Sequence, residues 1–438
     1  MAEGPLTLCV MGGTLVDSTG VRRGDVCITA GVIVEVGADL EPPAGSTVLD
    51  ASGCLVTPGL VDLHTHLRQP GAEEAETVET GSRAAALGGY TAVVAMPNTD
   101  PPVDNGAVVA EVLELSKSAL VEVGVAGAIT VGRAGERLSL MRELAALGVK
   151  LFTDDGNGVQ DGGLMRRACE YAAGLGVTLA QHCEDERIAG YGVMNEGVWS
   201  SKLGLRGTPA AAEDTMVARD ISLARLTGAK VHFMHLSCAS SVELVRLAKA
   251  EGLSVTAEVT PHHMVLTDDL VRDYDPVFKV NPPLRGVDDV AAIRRGLRDG
   301  TIDAIATDHA PHSPESKQLP FDDAPPGMIG LQTALAVSYD TLLSNENHPS
   351  FSQLQEFFAL FTSRPARIAG LSAQGGPLSK GSIANICVFD PDERWTVESD
   401  SQASRSRNTP FAGRSLKGRV RHCILRGEPT VVDAVALR

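Results

Sequence analysis

Eight short apolar runs that end in polar residues, with helical stretches between them, constrain this 438-residue chain more than any other feature. The runs occupy residues 55–66, 91–98, 121–130, 149–155, 177–182, 230–235, 254–263 and 303–308. The spacing predicts helices at 79–86, 107–115, 138–146, 164–173, 214–226, 242–250 and 288–297, most of them closed by a glycine (Gly88, Gly148, Gly174, Gly228, Gly252, Gly300). Near-continuous apolar strands indicate burial on both faces, as in a parallel sheet covered by helices. Eight β/α units in roughly 250 residues predict an α/β fold of the TIM type, a (β/α)8 barrel whose chemistry sits at the C-terminal ends of the strands.

The two ends of the chain read differently. Short β-type runs at 8–11, 26–29, 32–36 and 48–49, and again at 383–389, 395–397 and 420–425, lack long helical periodicity. Both ends are therefore expected to join in one small β domain flanking the barrel, with boundaries 1–55, 56–370 and 371–438.

The residues at the strand ends carry the chemistry. Run one ends in His64, His66 and Arg68, run two in Asn98, run four in Asp154 and Asp155, run five in His182, run six in His235, and run eight in Asp308 with His312 beyond it. Two histidines one residue apart on a strand share a face and can reach one ion together. An HxH pair alone is more often a core or surface feature, so further ligands are needed. Four histidines and two carboxylates at these rims are enough for two divalent ions, and the imidazole content favours zinc.

A formal charge of −17, with no run of lysines or arginines, argues against nucleic acid and anionic membrane as partners. No apolar run approaches the roughly 20 residues of a membrane span. The eight cysteines are scattered without a CxxC pair, and the N-terminus shows no signal-peptide pattern, so a reducing cytoplasm is the expected home.

Several motifs together resemble the bacterial type I dihydroorotases of the amidohydrolase superfamily. They are residues 62–71 (DLHTHLRQPG), 152–156 (FTDDG), 181–185 (QHCED), 235–237 (HLS), 281–285 (NPPLR), 308–312 (DHAPH) and 326–333 (PGMIGLQT). The flanking β segments, including GSIANICVFD at 381–390, are similar to the composite domain of that superfamily. The resemblance implies reversible cyclisation of N-carbamoyl-L-aspartate to L-dihydroorotate through a metal-bridged hydroxide, a step of de novo pyrimidine biosynthesis. It implies one Zn2+ on His64, His66 and Asp308, a second on His182 and His235, and Asp155 between them. The same resemblance implies that Asp308 acts as the acid and base, that Arg68, Asn98 and His312 supply the grip on the substrate carboxylate, and that Asn281 with the backbone at Pro326 and Gly327 holds the pyrimidine edge. A homodimer and a complex with aspartate transcarbamoylase stay open as partners.

Many relatives in the superfamily bridge their metals with a carboxylated lysine, and Lys150 lies on run four. Alternation puts Lys150 and Asp155 on opposite faces, and five residues at about 3.3 Å each separate them by roughly 16 Å. Asp155 is therefore the expected bridge, and Asp154 is structural. His232 and His309 alternate onto the far face and are expected between barrel and helices. His262 and His263 end run seven near the site, Cys238 reads as a small buried residue, and neither His348 nor His422 has a functional argument. The rival readings are another cyclic amidohydrolase, such as a hydantoinase, dihydropyrimidinase or allantoinase, distinguished by the Arg68 clamp, and a metal-poor scaffold, opposed by the filled ligand positions.

Overall fold

The computed structural model describes residues 7–343 and 349–437; His348 lies outside them. The chain begins with β1 (Thr7–Asp17), β2 (Gly20–Thr29), β3 (Val32–Gly37), β4 (Thr47–Asp50) and β5 (Leu55–Pro58). The middle contributes β6 (Leu60–Thr65), β7 (Tyr90–Ala95), β8 (Glu122–Val125), β9 (Leu151–Phe152), β10 (Thr178–Gln181), a short pair β11 (Met194–Asn195) and β12 (Gly207–Thr208), then β13 (Lys230–Phe233), β14 (Val255–Val259) and β15 (Ala304–Ile305). β16 (Ile386–Thr396), β17 (Ser415–Leu425), β18 (Glu428–Val432) and β19 (Val435–Ala436) follow.

Both chain ends meet in one nine-stranded sheet, ordered β19-β18-β17-β16-β5-β1-β2-β3, with β4 paired to β1. Its seam is β5 against β16, antiparallel from Leu55↔Phe389 to Pro58↔Ile386. The run expected as one strand over 55–66 is thus two strands in two sheets, and the boundary between them falls at Gly59. A Cβ on Gly59 would lie 2.1 Å from Thr91 Oγ1, so the crossing requires a residue without a side chain. Cys9 and Cys27 face each other across β1 and β2 and form a disulfide, a pairing their spacing did not suggest. The other cysteines are free and buried.

β6, β7 and β8 form one parallel sheet, and β9, β10, β13, β14 and β15 another. Parallel bridges Gly127↔Phe152 and Thr65↔His309 link the two sheets at both seams, so the strands follow one another in cyclic order. Helices Val78–Leu87, Gly106–Leu115, Met141–Ala146, Gly162–Leu175, Ala211–Thr227, Ala239–Ala250 and Val287–Arg298 occupy the connections, close to the predicted positions. Their ends have local causes. Thr77 and Thr80 form a capping box, and Asp161 accepts a 2.6 Å bond from Leu164 N at the next helix start but two. Gly176, not Gly174, ends that helix in the left-handed conformation. Among the described residues, no helix is long and apolar enough to cross a membrane.

Leu63, Val94, Ala126, Leu151, Ala180, Met234 and Ala304 meet inside the ring of strands. Val93, Phe152, Leu179, Val231, Phe233, Ala257 and Ile305 pack outward into the larger core with the helices. Each large aliphatic side chain buried this way contributes about 1.5–3 kcal/mol. β14 places no apolar side chain in the inner cluster; Glu258, 1% exposed, stands there instead. The run expected over 254–263 stops at Val259, and Pro261 opens a short helix, Pro261–Val265, that carries His262 and His263.

Candidate active site

The polar strand ends converge. β6 delivers His64 and His66 with ring centroids 5.2 Å apart, while Asp155, His182, His235 and Asp308 follow β9, β10, β13 and β15. All six are buried. His64 Nε2 lies 3.3 Å from Asp155 Oδ1 and 3.4 Å from Asp308 Oδ1. His66 Nε2 lies 3.4 Å from Asp155 Oδ2 and 3.1 Å from Asp308 Oδ1. His182 Nδ1 is 3.0 Å from His235 Nε2 and 3.8 Å from Asp155 Oδ1.

These spacings fit a cation, because donors about 2.1 Å from a tetrahedral centre stand about 3.4 Å from one another. His64, His66 and Asp155 form one triplet and Asp155, His182 and His235 another, the ligand atoms of each lying within 4.8 Å of one another. Asp155 is common to both. His64 Nε2 and His235 Nδ1 are buried without a hydrogen-bond partner, an unfavourable state that a bound ion relieves. Burial opposes charge at His64, yet the Asp155 and Asp308 carboxylates outweigh it and raise the imidazole well above its ordinary value. Burial opposes the Asp155 charge too, and His64, His66 and His182 overcome it and hold the carboxyl well below its ordinary value. Burial, with His182 and His64 beside it, pushes His235 well down, which leaves it neutral and able to ligate.

Two of these imidazoles are oriented from behind. His66 Nδ1 bonds Asn98 Oδ1 at 2.9 Å, and His64 Nδ1 bonds Glu258 Oε1 at 3.1 Å. Each bond fixes a hydrogen on Nδ1 and so turns Nε2 toward the carboxylates. His232 Nε2 reaches Glu258 Oε2 at 3.0 Å, and its Nδ1 reaches Thr256 Oγ1 at 2.8 Å. Although burial opposes the charge, the bonds from His232 and His64 hold Glu258 at about 2.

His232 was expected between barrel and helices, but it belongs to this inner network. Counting alternate faces back from His235 fails because His235 lies beyond β13 with φ +32°. His309 does point away, to Glu76 Oε2 at 3.1 Å. Sequence reasoning missed Glu258, whose signal is a lone carboxylate inside the apolar strand VTAEV, on the face opposite Ala257 and Val259. Glu258→Gln is expected to weaken metal retention against a chelator by roughly 10-fold or more with the fold intact. Unchanged metal retention would reduce Glu258 to packing.

Lys150 is exposed at the entry to β9, and Asp154 turns away to accept from Thr130 N at 3.0 Å. His263 Nε2 donates to Pro282 O at 2.9 Å and so supports the loop that carries Asn281.

A cavity of about 190 Å³ is lined by His66, Arg68, Asn98, Asp155, His182, His235, Asn281, Asp308, His312, Pro326 and Gly327. Of the residues predicted to hold metal or substrate, His64 alone does not line it. Arg68, at φ +59°, donates from Nε to Pro311 O at 3.2 Å. Asn281 Nδ2 lies 3.4 Å from His182 Nε2 and 3.3 Å from Glu184 Oε1. Asn98 is engaged with two proposed ligands, since its Nδ2 also reaches Asp155 Oδ2 at 3.4 Å. Burial, Arg68 and Lys317 push His312 down to about 3, so it is neutral. Its Nε2–H is taken by Pro326 O at 2.8 Å, which leaves Nδ1 as an acceptor where the sequence suggested a donor.

Residues 53–241 match a family model described as Dihydro-orotase-like. The dihydroorotase of Pelotomaculum thermopropionicum is 48% identical over 432 residues, covering 98% of this chain and 100% of the relative. This chain belongs to the dihydroorotase family. The dihydroorotase of Mycobacterium tuberculosis is 49% identical over 415 residues, covering 94% of this chain and 96% of the relative. Among solved structures, L-hydantoinase (dihydropyrimidinase) from Arthrobacter aurescens gives a TM-score of 0.87 at 25% identity, over 98% of this chain and 97% of that one. D-hydantoinase (dihydropyrimidinase) from Thermus sp. gives 0.84 at 25% identity, over 98% and 96%. A dihydroorotase-family sequence thus shares its α/β architecture with hydantoinases, so architecture does not separate their substrates.

Proposed function

We propose that this chain is a dihydroorotase of the type I class, interconverting N-carbamoyl-L-aspartate and L-dihydroorotate in pyrimidine biosynthesis. Its family membership makes it a metal-dependent cyclic amidohydrolase. The observation that carries the substrate assignment is the convergence of Arg68, Asn98 and His312 on the cavity lined by Asp155, the residue the two ligand triplets share. The cyclic run of parallel strands supports a closed (β/α)8 barrel, with the nine-stranded sheet as the flanking domain.

The donor set suits zinc: His64, His66 and Asp308 would hold one ion and His182 and His235 a second, with Asp155 in reach of both groups. When bound, such ions supply Lewis acidity at the ring carbonyl and acidify water. Arg68 pairs with the substrate carboxylate in a fork geometry, supported by Asn98. His312 accepts from the ring N–H, and Asn281 with the Pro326–Gly327 backbone holds the remaining edge. In hydrolysis Asp308 takes the proton of the attacking water as the C–O bond forms, then passes it to the ring nitrogen as the C–N bond breaks. Cyclisation is the reverse: Asp308 accepts the ureido N–H proton and returns it to the departing oxygen.

Arg68→Met tests the substrate. Leaving a desolvated carboxylate unpaired costs on the order of 3 kcal/mol, about a hundredfold, so kcat/KM for dihydroorotate is expected to fall by about that factor. Dihydrouracil, the same ring without the carboxylate, should lose far less. Preference of the wild-type protein for hydantoin or dihydrouracil, or an equal loss on all substrates, would put the hydantoinase reading in its place.

A further inference from the structure

The excursion between β16 and β17, residues 397–414, leaves the flanking sheet and reaches the rim of the barrel strands. It is stitched there by Ser406 Oγ to Ala75 O at 2.7 Å, Arg405 N to Glu76 Oε1 at 3.0 Å, and Ala403 N to Gln332 Oε1 at 2.6 Å. Asn408, 5% exposed, then reaches into the gap between the segments that carry His312 and Gly327. Its Nδ2 donates to Ala310 O at 3.0 Å and to Gly327 O at 3.1 Å, while its Oδ1 accepts from His312 N at 3.3 Å. Its own carbonyl accepts from Ile329 N at 3.1 Å. One amide thereby satisfies three backbone groups on both sides of the cavity wall. The fit is close: a Cβ on Gly327, at φ +142°, would stand 2.8 Å from both Ala310 Cβ and His312 Nε2.

We propose that Asn408 is a positioning residue for the substrate, clamping the Pro326–Gly327 backbone against His312 so that the pyrimidine edge meets a preformed wall. The inference rests on the assignment of His312, Pro326 and Gly327 to the substrate pocket. The side-chain hydrogen bonds of Asn408 go to Ala310, Gly327 and His312 and to none of the proposed metal ligands, so its effect falls on binding rather than on the proton transfer. Asn side chains supply two N–H donors and an acceptor, and no other residue of this size does so. In Asn408→Asp the shape is kept, but a carboxylate faces the carbonyls of Ala310 and Gly327.

The test uses the metal-loaded full chain. Asn408→Asp and Asn408→Ala are expected to raise KM for dihydroorotate about tenfold, with kcat within about threefold of wild type and metal content unchanged. Calorimetric affinity for orotate, the planar ring analogue with the same carboxylate, should fall by a similar factor. Ser406→Ala, which loosens the excursion away from the pocket, should leave KM unchanged. His312→Ala separates the two levels of the argument. If His312→Ala raises KM and both Asn408 variants do not, the Asn408 inference falls while the pocket stands. If none of the three alters KM or orotate binding, the pocket assignment itself falls. Loss of metal, or a fall in kcat without a rise in KM, would make Asn408 merely structural and overturn the proposal.

Discussion

Asp308→Asn is expected to keep the fold and most of the metal while turnover of dihydroorotate falls by roughly 10²–10⁴-fold, the range of a lost general acid and base. Asp308 Oδ1 stands 3.1 Å from His66 Nε2 and 3.4 Å from His64 Nε2, and the residue lines the cavity of about 190 Å³. Its backbone has φ +44°, a conformation a non-glycine residue adopts only when its surroundings impose it. The neighbouring His309, bonded to Glu76 and to Gly330 N, anchors that turn. An asparagine at 308 still offers a ligand oxygen but cannot take a proton from water and release it to nitrogen. Measuring kcat beside metal content on the same sample separates the two roles. Turnover near the wild-type value with metal retained would remove Asp308 from the chemistry.

Asp155→Ala is expected to strip the centre, leaving metal content near zero after dialysis and turnover below detection. Asp155 is the one carboxylate common to both triplets, and it balances His64, His66 and His182 at once. Removing it leaves buried imidazoles without their counter-charge, a loss on the order of 3–5 kcal/mol for a broken buried pair, in addition to the ligand it would lend each proposed ion. Lys150→Ala should retain metal and turnover, because Lys150 is exposed at the opposite end of β9. Metal retained in Asp155→Ala, or lost in Lys150→Ala, would reverse the choice of bridge.

Much of the candidate site was legible because it depends on local rules. An apolar run ending in His, Asp or Asn marks where a buried strand meets solvent, and a ring of such strands brings their ends together whatever the loops do. His64, His66, Asp155, His182, His235 and Asp308 could be proposed on that basis together with the family motifs. The same local rules misplace residues once the backbone leaves the extended form. Alternation puts His232 on the wrong face because His235 itself has a positive φ beyond the strand end, and it carries the run 254–263 past Val259 into a helix opened by Pro261.

What the sequence determined by itself is the alternation of buried strands and helices, the kind of polar side chain at each strand end, and the chemistry such side chains can support. Each follows from hydrophobic period, turn residues and side-chain type within about a dozen positions. Only the tertiary structure decided the pairing of β5 with β16, the disulfide between Cys9 and Cys27, the seat of Glu258 behind His64, and the reach of Asn408 to Ala310 and Gly327. Glu258 lies 194 residues from His64, and Asn408 lies 98 from Ala310. At such separations no local preference encodes a partner; the contact exists because closing the strands and docking the flanking sheet bring otherwise unsatisfied polar groups together, and burial makes leaving them unpaired unfavourable.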